Sequence, residues 1–337
     1  MSNPRLVASV VVAALVLAAA PALAQTKPGA SDTADAPSAP AEATLPVGAL
    51  QIGSAANVEV AGYDISVAGD GVTYSYYFKN NGTAEVTVAA TLELPALQAS
   101  ADGSETWVLA SKDADNPVGL AITAAGAPVP TKAEVHAYAL GIDRLAEIKA
   151  EHLPLIPFGP DADKALAALA PDAAERLAAL GIVSPPIPGQ PKAPVVPDWT
   201  LDVVRSGRLT LPAGKTTPVI VKFIPVKAQY RIGKGEQSDL DDMKEEICLR
   251  PQVLSTLQSR LKGGGAWNVT DIALAADAPA HWIDSAPPTL SVQKPKPDAI
   301  VAFCGIDEKS ANRPAVLGTA PDENSGIRVV IFEPAGK

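Results

Sequence analysis

From Val58 onward, apolar and polar residues alternate with a period of two, the spacing of strands that bury one face. Residues 58–60, 65–67, 72–79 and 85–94 read as short strands. In the third of these, Tyr74, Tyr76 and Phe78 share one face while Tyr77 points to the other, and Val86, Val88 and Ala90 share a face of the fourth. Between them Asn80-Asn81-Gly82 offers residues that tolerate positive φ, which predicts a hairpin with one side in the core. Residues 107–109 and 120–122 continue the pattern, and Gly126-Ala127-Pro128-Val129 reads as a turn into an edge strand.

The period then changes. Residues 137–149 are helix formers with Leu140, Leu145 and Ile148 on one stripe, and Pro154, Pro157 and Pro160 bring that run to an end. Two more short helices follow at 163–169 and 171–180, with Pro171 in a first helical position and Gly181 as the C-terminal cap. Together they predict a small helical insert over 136–183. In the connector 184–198 a proline recurs every third residue, from Pro185 through Pro188, Pro191 and Pro194 to Pro197. Three residues per turn is the polyproline II repeat, and at roughly 3.1 Å per residue the segment would extend about 40 Å, as a stiff connector or as a ligand for an aromatic groove.

Alternation returns after Trp199, with strands at 201–204, 208–211 and 217–225, the last two joined by a turn at Pro212-Ala213-Gly214-Lys215. Residues 251–262 have Val253, Leu254, Leu257 and Leu261 at helical spacing and end in three glycines. Strands at 268–275, 289–292, 300–303 and 327–332 close the chain. The expected architecture is mainly β, an antiparallel β-sandwich of one domain or two lobes over 46–337, with a minor α component.

Residues 1–24 alter this picture by adding an address. Arg5 precedes an apolar run, and Ala22-Leu23-Ala24 has small residues where a leader peptidase reads, so they are expected to be a signal peptide with cleavage before Gln25. The run is too short for a spanning helix, which needs about 18 apolar residues, and nothing later reaches that length. Residues 25–45, rich in Ala, Ser, Thr, Asp and Pro, read as a disordered tether. A periplasmic protein with no membrane span after cleavage is the expectation. Of 27 basic residues Arg5 leaves with the leader, so 26 stand against 37 acidic ones. That balance argues against a nucleic-acid partner, because phosphate binding needs clustered Lys and Arg.

Cys248 and Cys304 are the only cysteines, and in an oxidising compartment an even pair most simply forms one disulfide. They form no C-x-x-C pair, and no histidine lies within 20 residues of either, which disfavours a metal site or an activated thiol.

The chemistry-bearing motifs are weak. Ala213-Gly214-Lys215-Thr216 has the end of a phosphate-binding loop, but Leu209 stands where its first glycine is needed, so it reads as a hairpin turn. Ser259-Arg260-Leu261-Lys262 matches S-x-x-K at the wrong end of its helix. Asp239, Asp241, Asp242, Glu245 and Glu246 form the densest acidic run; as an EF-hand counted from Asp239 it would have Lys244 at the glycine position and Arg250 at the bidentate glutamate. An irregular calcium site or a solvated segment before the 251–262 helix are the two remaining readings. His136, His152 and His281 are scattered. Trp107, Trp199, Trp267 and Trp282 offer sugar-stacking faces or core packing, and His281, Trp282 and Asp284 form the most site-like cluster, a possible binding surface.

Several segments taken in order also resemble a known family. They are VTYSYYFKNNGTAEVTVAATLEL from Val72, LGIDR from Leu140 with LPLIPF from Leu153, Trp199 leading into LTLPAGKTTPVIVKF, and Phe303-Cys304-Gly305. Their order and spacing are similar to DUF4424, an exported bacterial family of unknown function. The resemblance implies an envelope location and a mostly β fold, and it supplies no reaction, ligand or catalytic residue. The resulting expectation is a non-catalytic envelope module without cofactor that binds a protein or a glycan. A hydrolase built around His281 and Asp284, and a calcium-stabilised scaffold, are the alternatives.

Overall fold

A computed structural model describes residues 46–69, 71–99, 107–184, 195–275, 288–319 and 326–335. The expected leader and tether lie outside them, as do His281, Trp282 and Asp284. The described chain is mainly β, in three sheets. The first runs β1 (Gln51–Ile52), β4 (Val86–Glu93), β10 (Thr200–Leu211), β8 (Thr131–Ala139), β9 (Ile142–Asp143), with β5 (Leu97–Gln98) also on β10. The second runs β16 (Ala315–Thr319), β14 (Thr289–Gln293), β2 (Val58–Ala68), β3 (Gly71–Asn80), β11 (Thr216–Phe223), β6 (Ala121–Ala124), β7 (Ala127–Pro128). The third is β12 (Lys227–Ile232), β13 (Trp267–Leu274), β17 (Ile327–Pro334), β15 (Ile300–Ala302). Among these pairings only β14 with β2 is parallel.

Inward side chains of the first two sheets form one core. Val88, Leu92, Leu201 and Leu209 come from the first sheet, and Tyr74, Tyr76, Phe78 and Val221 from the second. The alternation in β3 puts Tyr76 and Phe78 at 0% exposure, whereas Tyr77 is 37% exposed. The β6–β7 turn and its edge strand are where the sequence predicts them, with Ala125 and Gly126 both at positive φ.

The expected hairpin at Asn80-Asn81-Gly82 is not one. β3 pairs with β2 and β11, β4 pairs with β1 and β10, and the chain crosses between sheets at this point. Pro212-Ala213-Gly214-Lys215 is likewise a crossing, from β10 in the first sheet to β11 in the second. The two arches lie side by side and Asn80 locks them. Its buried Nδ2 donates to Ala84 O and Leu211 O, each at 2.9 Å, its Oδ1 accepts from Gly82 N, and its own N–H donates to Lys215 O at 3.0 Å. Two-residue hairpins of the favoured types require positive φ at a central position, and none of the three residues has it. Apolar alternation specifies a face but no partner, so it does not distinguish a hairpin from an arch.

The third sheet is buried on both sides. Ile272, Leu274, Val329 and Ile331 join the main core. Trp267, Val269, Val330 and Phe332 face the other way, under α4 (Gln237–Met243) and α5 (Pro251–Lys262), against Leu240, Met243, Leu257 and Leu261. On this side Asp271, only 2% exposed, accepts from Arg328 Nε through both oxygens, at 3.2 and 2.9 Å, and Glu246 also pairs with Arg328. Cys248 and Cys304 are joined in a disulfide. Closing a loop of 56 residues' separation contributes roughly 4 kcal/mol on the chain-entropy account.

The 137–149 helix is a correction. Residues 136–139 belong to β8, the chain reverses at Leu140-Gly141 with positive φ at both, and α1 is only Leu145–Ala150. Helix propensity here loses to strand pairing with β10, in which Leu201 faces Ala137. α2 (Pro160–Ala167) and α3 (Pro171–Ala179) complete the insert, which has its own core of Ile148, Leu153, Leu166, Leu177 and Trp199. At the connector, Ser184 N donates to Val196 O at 2.8 Å and Asp198 N to Ile182 O at 2.9 Å, so its two ends meet. Residues 185–194 lie outside the described ones.

Candidate functional site

Most of the residues that the sequence singles out have structural duties. Trp199 is fully buried and its Nε1 donates to Leu155 O at 2.8 Å. Trp267 is 3% exposed; its Nε1 donates to Leu257 O at 3.2 Å, and Arg260 lies 5.1 Å above its ring. Ser259 sits within α5 with its hydroxyl on Ser255 O, and His152 is exposed at a left-handed position just after α1. The acidic run forms α4 and the turn after it, where Glu246 is committed to Arg328. Among the described residues no three His, Cys, Asp or Glu side chains converge in a way that would hold a metal ion.

His136 is brought among carboxylates. Its Nδ1 lies 2.8 Å from Asp143 Oδ2 and its Nε2 3.2 Å from Glu134 Oε1, while Asp202 is its cross-strand neighbour on β10. Asp143 first, then Glu134, raise the imidazole above its ordinary value, and His136 holds the Asp143 carboxyl below its own. Burial pushes Asp202 up. Both nitrogens of His136 are occupied, and Asp143 Oδ1 accepts from the backbone of Leu145 at 3.0 Å and of Ala137 at 3.3 Å. The group pins the β8–β9 turn to the start of α1. The LGIDR segment is thus a joint, with Leu140-Gly141 making the reversal and Asp143 the tie.

Trp107 is the exception among the described tryptophans. Its Nε1 is buried with no hydrogen-bond partner among the described residues. Beside it lies a cleft of about 400 Å³ whose walls include Leu109, Leu155, Ile156 and Phe158, all partly buried residues at the fringe of the sandwich core. One wall, residues 107–114, is held by the turn after it: Asn116 exchanges hydrogen bonds with Leu120, Ser111 N donates to Pro117 O, and Arg205 donates to Asp115 O. The other wall is the LPLIPF segment, anchored through Trp199 to Leu155 and ended by Gly159, whose φ of 88° turns the chain into Pro160 at the start of α2. The Lys112–Asp161 pair, at 2.6 Å and largely exposed, stands at the mouth.

Such a cleft offers apolar contact to a small molecule, with the Trp107 indole in its wall. An indole N–H left buried and unpaired costs about 1–3 kcal/mol. Only Trp107 of these residues is a site candidate by sequence reasoning. The rest were signalled by apolar residues in a stretch broken by Pro154 and Pro157, which no helix or strand period accounts for.

Among the described residues no helix is long and apolar enough to cross a membrane. No curated protein matches the chain. A crystal structure from Legionella pneumophila subsp. pneumophila str. Philadelphia 1, described as "a putative nutrient binding protein", is similar with a TM-score of 0.40 at 10% identity, over 86% of this chain and 71% of that one. Residues 40–318 match the model of the domain of unknown function DUF4424, and since that is most of the chain, the protein belongs to this family.

Proposed function

We propose that this protein is an exported, non-catalytic binding module that takes a small, largely apolar ligand carrying a hydrogen-bond acceptor into the Trp107 cleft. The observation that carries the reading is the buried, unpartnered indole N–H at the wall of an apolar cleft of about 400 Å³. Export to the periplasm is supported by the leader pattern of residues 1–24 and by the disulfide, which belongs to an oxidising compartment. The non-catalytic reading is supported by His136, whose two nitrogens are engaged in holding a turn.

The test is a fluorescence titration of the full mature chain with 1-anilinonaphthalene-8-sulfonate, an apolar probe with acceptor oxygens. Saturable binding is expected, at least tenfold weaker in Ile156→Arg, which fills the cleft with a charged chain. Binding that Ile156→Arg leaves intact, at an unchanged melting temperature, would overturn the cleft as the site. A fusion of residues 1–45 to a reporter active only outside the cytoplasm tests export; an inactive reporter refutes it.

A further inference from the structure

A second cavity, of about 450 Å³, opens beside the first turn of α5, where Arg250, Gln252, Thr256, Lys294, Glu308 and Asn312 line it. A smaller one of about 170 Å³ shares Lys294 and Asn312 with it and adds Arg313. Four cations, Arg250, Lys294, Lys296 and Arg313, thus line these two recesses, against a single carboxylate, on a chain whose net charge is −10. That carboxylate, Glu308, sits 3.7 Å from Arg250 Nη1, a loose and exposed pairing. Of the four cations, Lys296 is paired with Glu333 at 3.0 Å. Lys294 differs: among the described residues its ammonium makes no ion pair or hydrogen bond. Burial alone holds it below the ordinary lysine value, so the charge is partly stripped of water with nothing given in return.

The remaining surface narrows the ligand. Val253, Ile300 and Val301 contribute an apolar wall, which a bare inorganic ion would leave uncovered. The positive end of the α5 dipole has the same sign as the two cations. Charge-assisted bonds from Lys and Arg to an oxyanion are about twice as strong as neutral ones, and the volume falls within the range of small-molecule sites.

We propose that this recess binds a small organic oxyanion, a carboxylate or phosphate monoester with a short aliphatic body, with Lys294 and Arg250 holding its head group. The site goes beyond the Trp107 cleft, and each can fail without the other.

Calorimetric titration of the full mature chain with butyl phosphate and with hexanoate, in phosphate-free buffer at constant ionic strength, tests it. The two arms distinguish a phosphate from a carboxylate preference. At least one should bind saturably with a Kd below about 1 mM, weaken at least tenfold in Lys294→Gln, and recover to within about threefold in Lys294→Arg. Trp107→Phe should leave this binding unchanged. Heats no larger than those of sodium chloride at the same ionic strength would overturn the proposal. So would binding that Lys294→Gln leaves within twofold, or that Trp107→Phe abolishes, since the ligand would then be elsewhere.

Discussion

The Asp271–Arg328 pair on the helix-covered side of the third sheet and the Trp107 indole at the cleft are both buried polar groups, yet they are treated in opposite ways. Under α4 and α5, Asp271 is closed on Arg328 by hydrogen bonds to both of its oxygens, and Arg328 is closed in turn by Glu246. In the cleft, the Trp107 N–H meets no acceptor among the described residues. A buried group whose partners are all internal adds order to the fold and leaves nothing for a ligand. A donor buried without a partner weakens the fold slightly and leaves a bond to be made. The difference teaches which polar residues of this protein serve structure and which are candidates for recognition.

The largest break in that contrast should come from Arg328→Leu. It strands the Asp271 charge in a site 2% exposed, and about 3–5 kcal/mol of stability should disappear in urea unfolding. The double variant Asp271→Leu, Arg328→Leu should recover much of that loss. Probe binding at the cleft should be unaffected in folded protein. If the single variant is as stable as the parent, the ion pair is not closed in the way described.

Asn80→Ala is next, at about 3 kcal/mol, because it removes the partners of Ala84 O, Leu211 O and Gly82 N where the two arches meet. A loss under about 1 kcal/mol by the same measurement would mean the arches hold without the asparagine.

Trp107→Phe keeps the ring surface and deletes the donor. Stability should change by less than about 1 kcal/mol, since the N–H contributes no bond within the described fold. The affinity for an acceptor-bearing ligand should fall by roughly 1–2 kcal/mol, about 5- to 30-fold in Kd. Equal affinity in the two proteins would place that ligand away from the indole.

The smallest effect concerns His136. Its folded value lies above the ordinary 6.5, so its contribution is fully present below pH 6.5 and is lost as pH rises through the folded value. Asp143 is depressed below 3.8, so its contribution is present above that pH and lost as pH falls through the lower folded value. The pair therefore stabilises the β8–β9 joint most between about pH 4 and 6.5, by under about 1 kcal/mol given its exposure. His136→Gln should flatten the decline in melting temperature above pH 6.5; an unchanged profile would show that the imidazole carries no such linkage.

How legible all this was differs from element to element. Tyr74, Tyr76 and Phe78 sort to one face by period alone, Pro171 and Gly181 bracket a helix by backbone chemistry alone, and two cysteines in a chain with a leader pattern point to one bond. These readings survive because each depends on neighbours along the chain. Residues 80–82 and 212–215 were misread because a crossing between sheets and a hairpin have the same turn composition, and the choice is made by Asn80 reaching Leu211, 131 positions away. Residues 137–139 were misread because pairing with β10 outweighs helix propensity. His281, Trp282 and Asp284, the cluster favoured by sequence, lie outside the described residues, while the cleft draws Trp107 and Ile156 from segments that carry no period.

Strand faces, the helices α2 and α3, the cysteine pairing and the acidic charge were thus determined by the sequence itself, because period, cap chemistry and composition do not depend on which surfaces meet. Which strands pair, where Asp271 finds its cation, and which apolar residues stop short of the core to wall a cleft were decided only in the tertiary structure. Each of those outcomes is a match between surfaces made by residues far apart in the chain, and burial gives a polar group its cost or its use only once those surfaces have met.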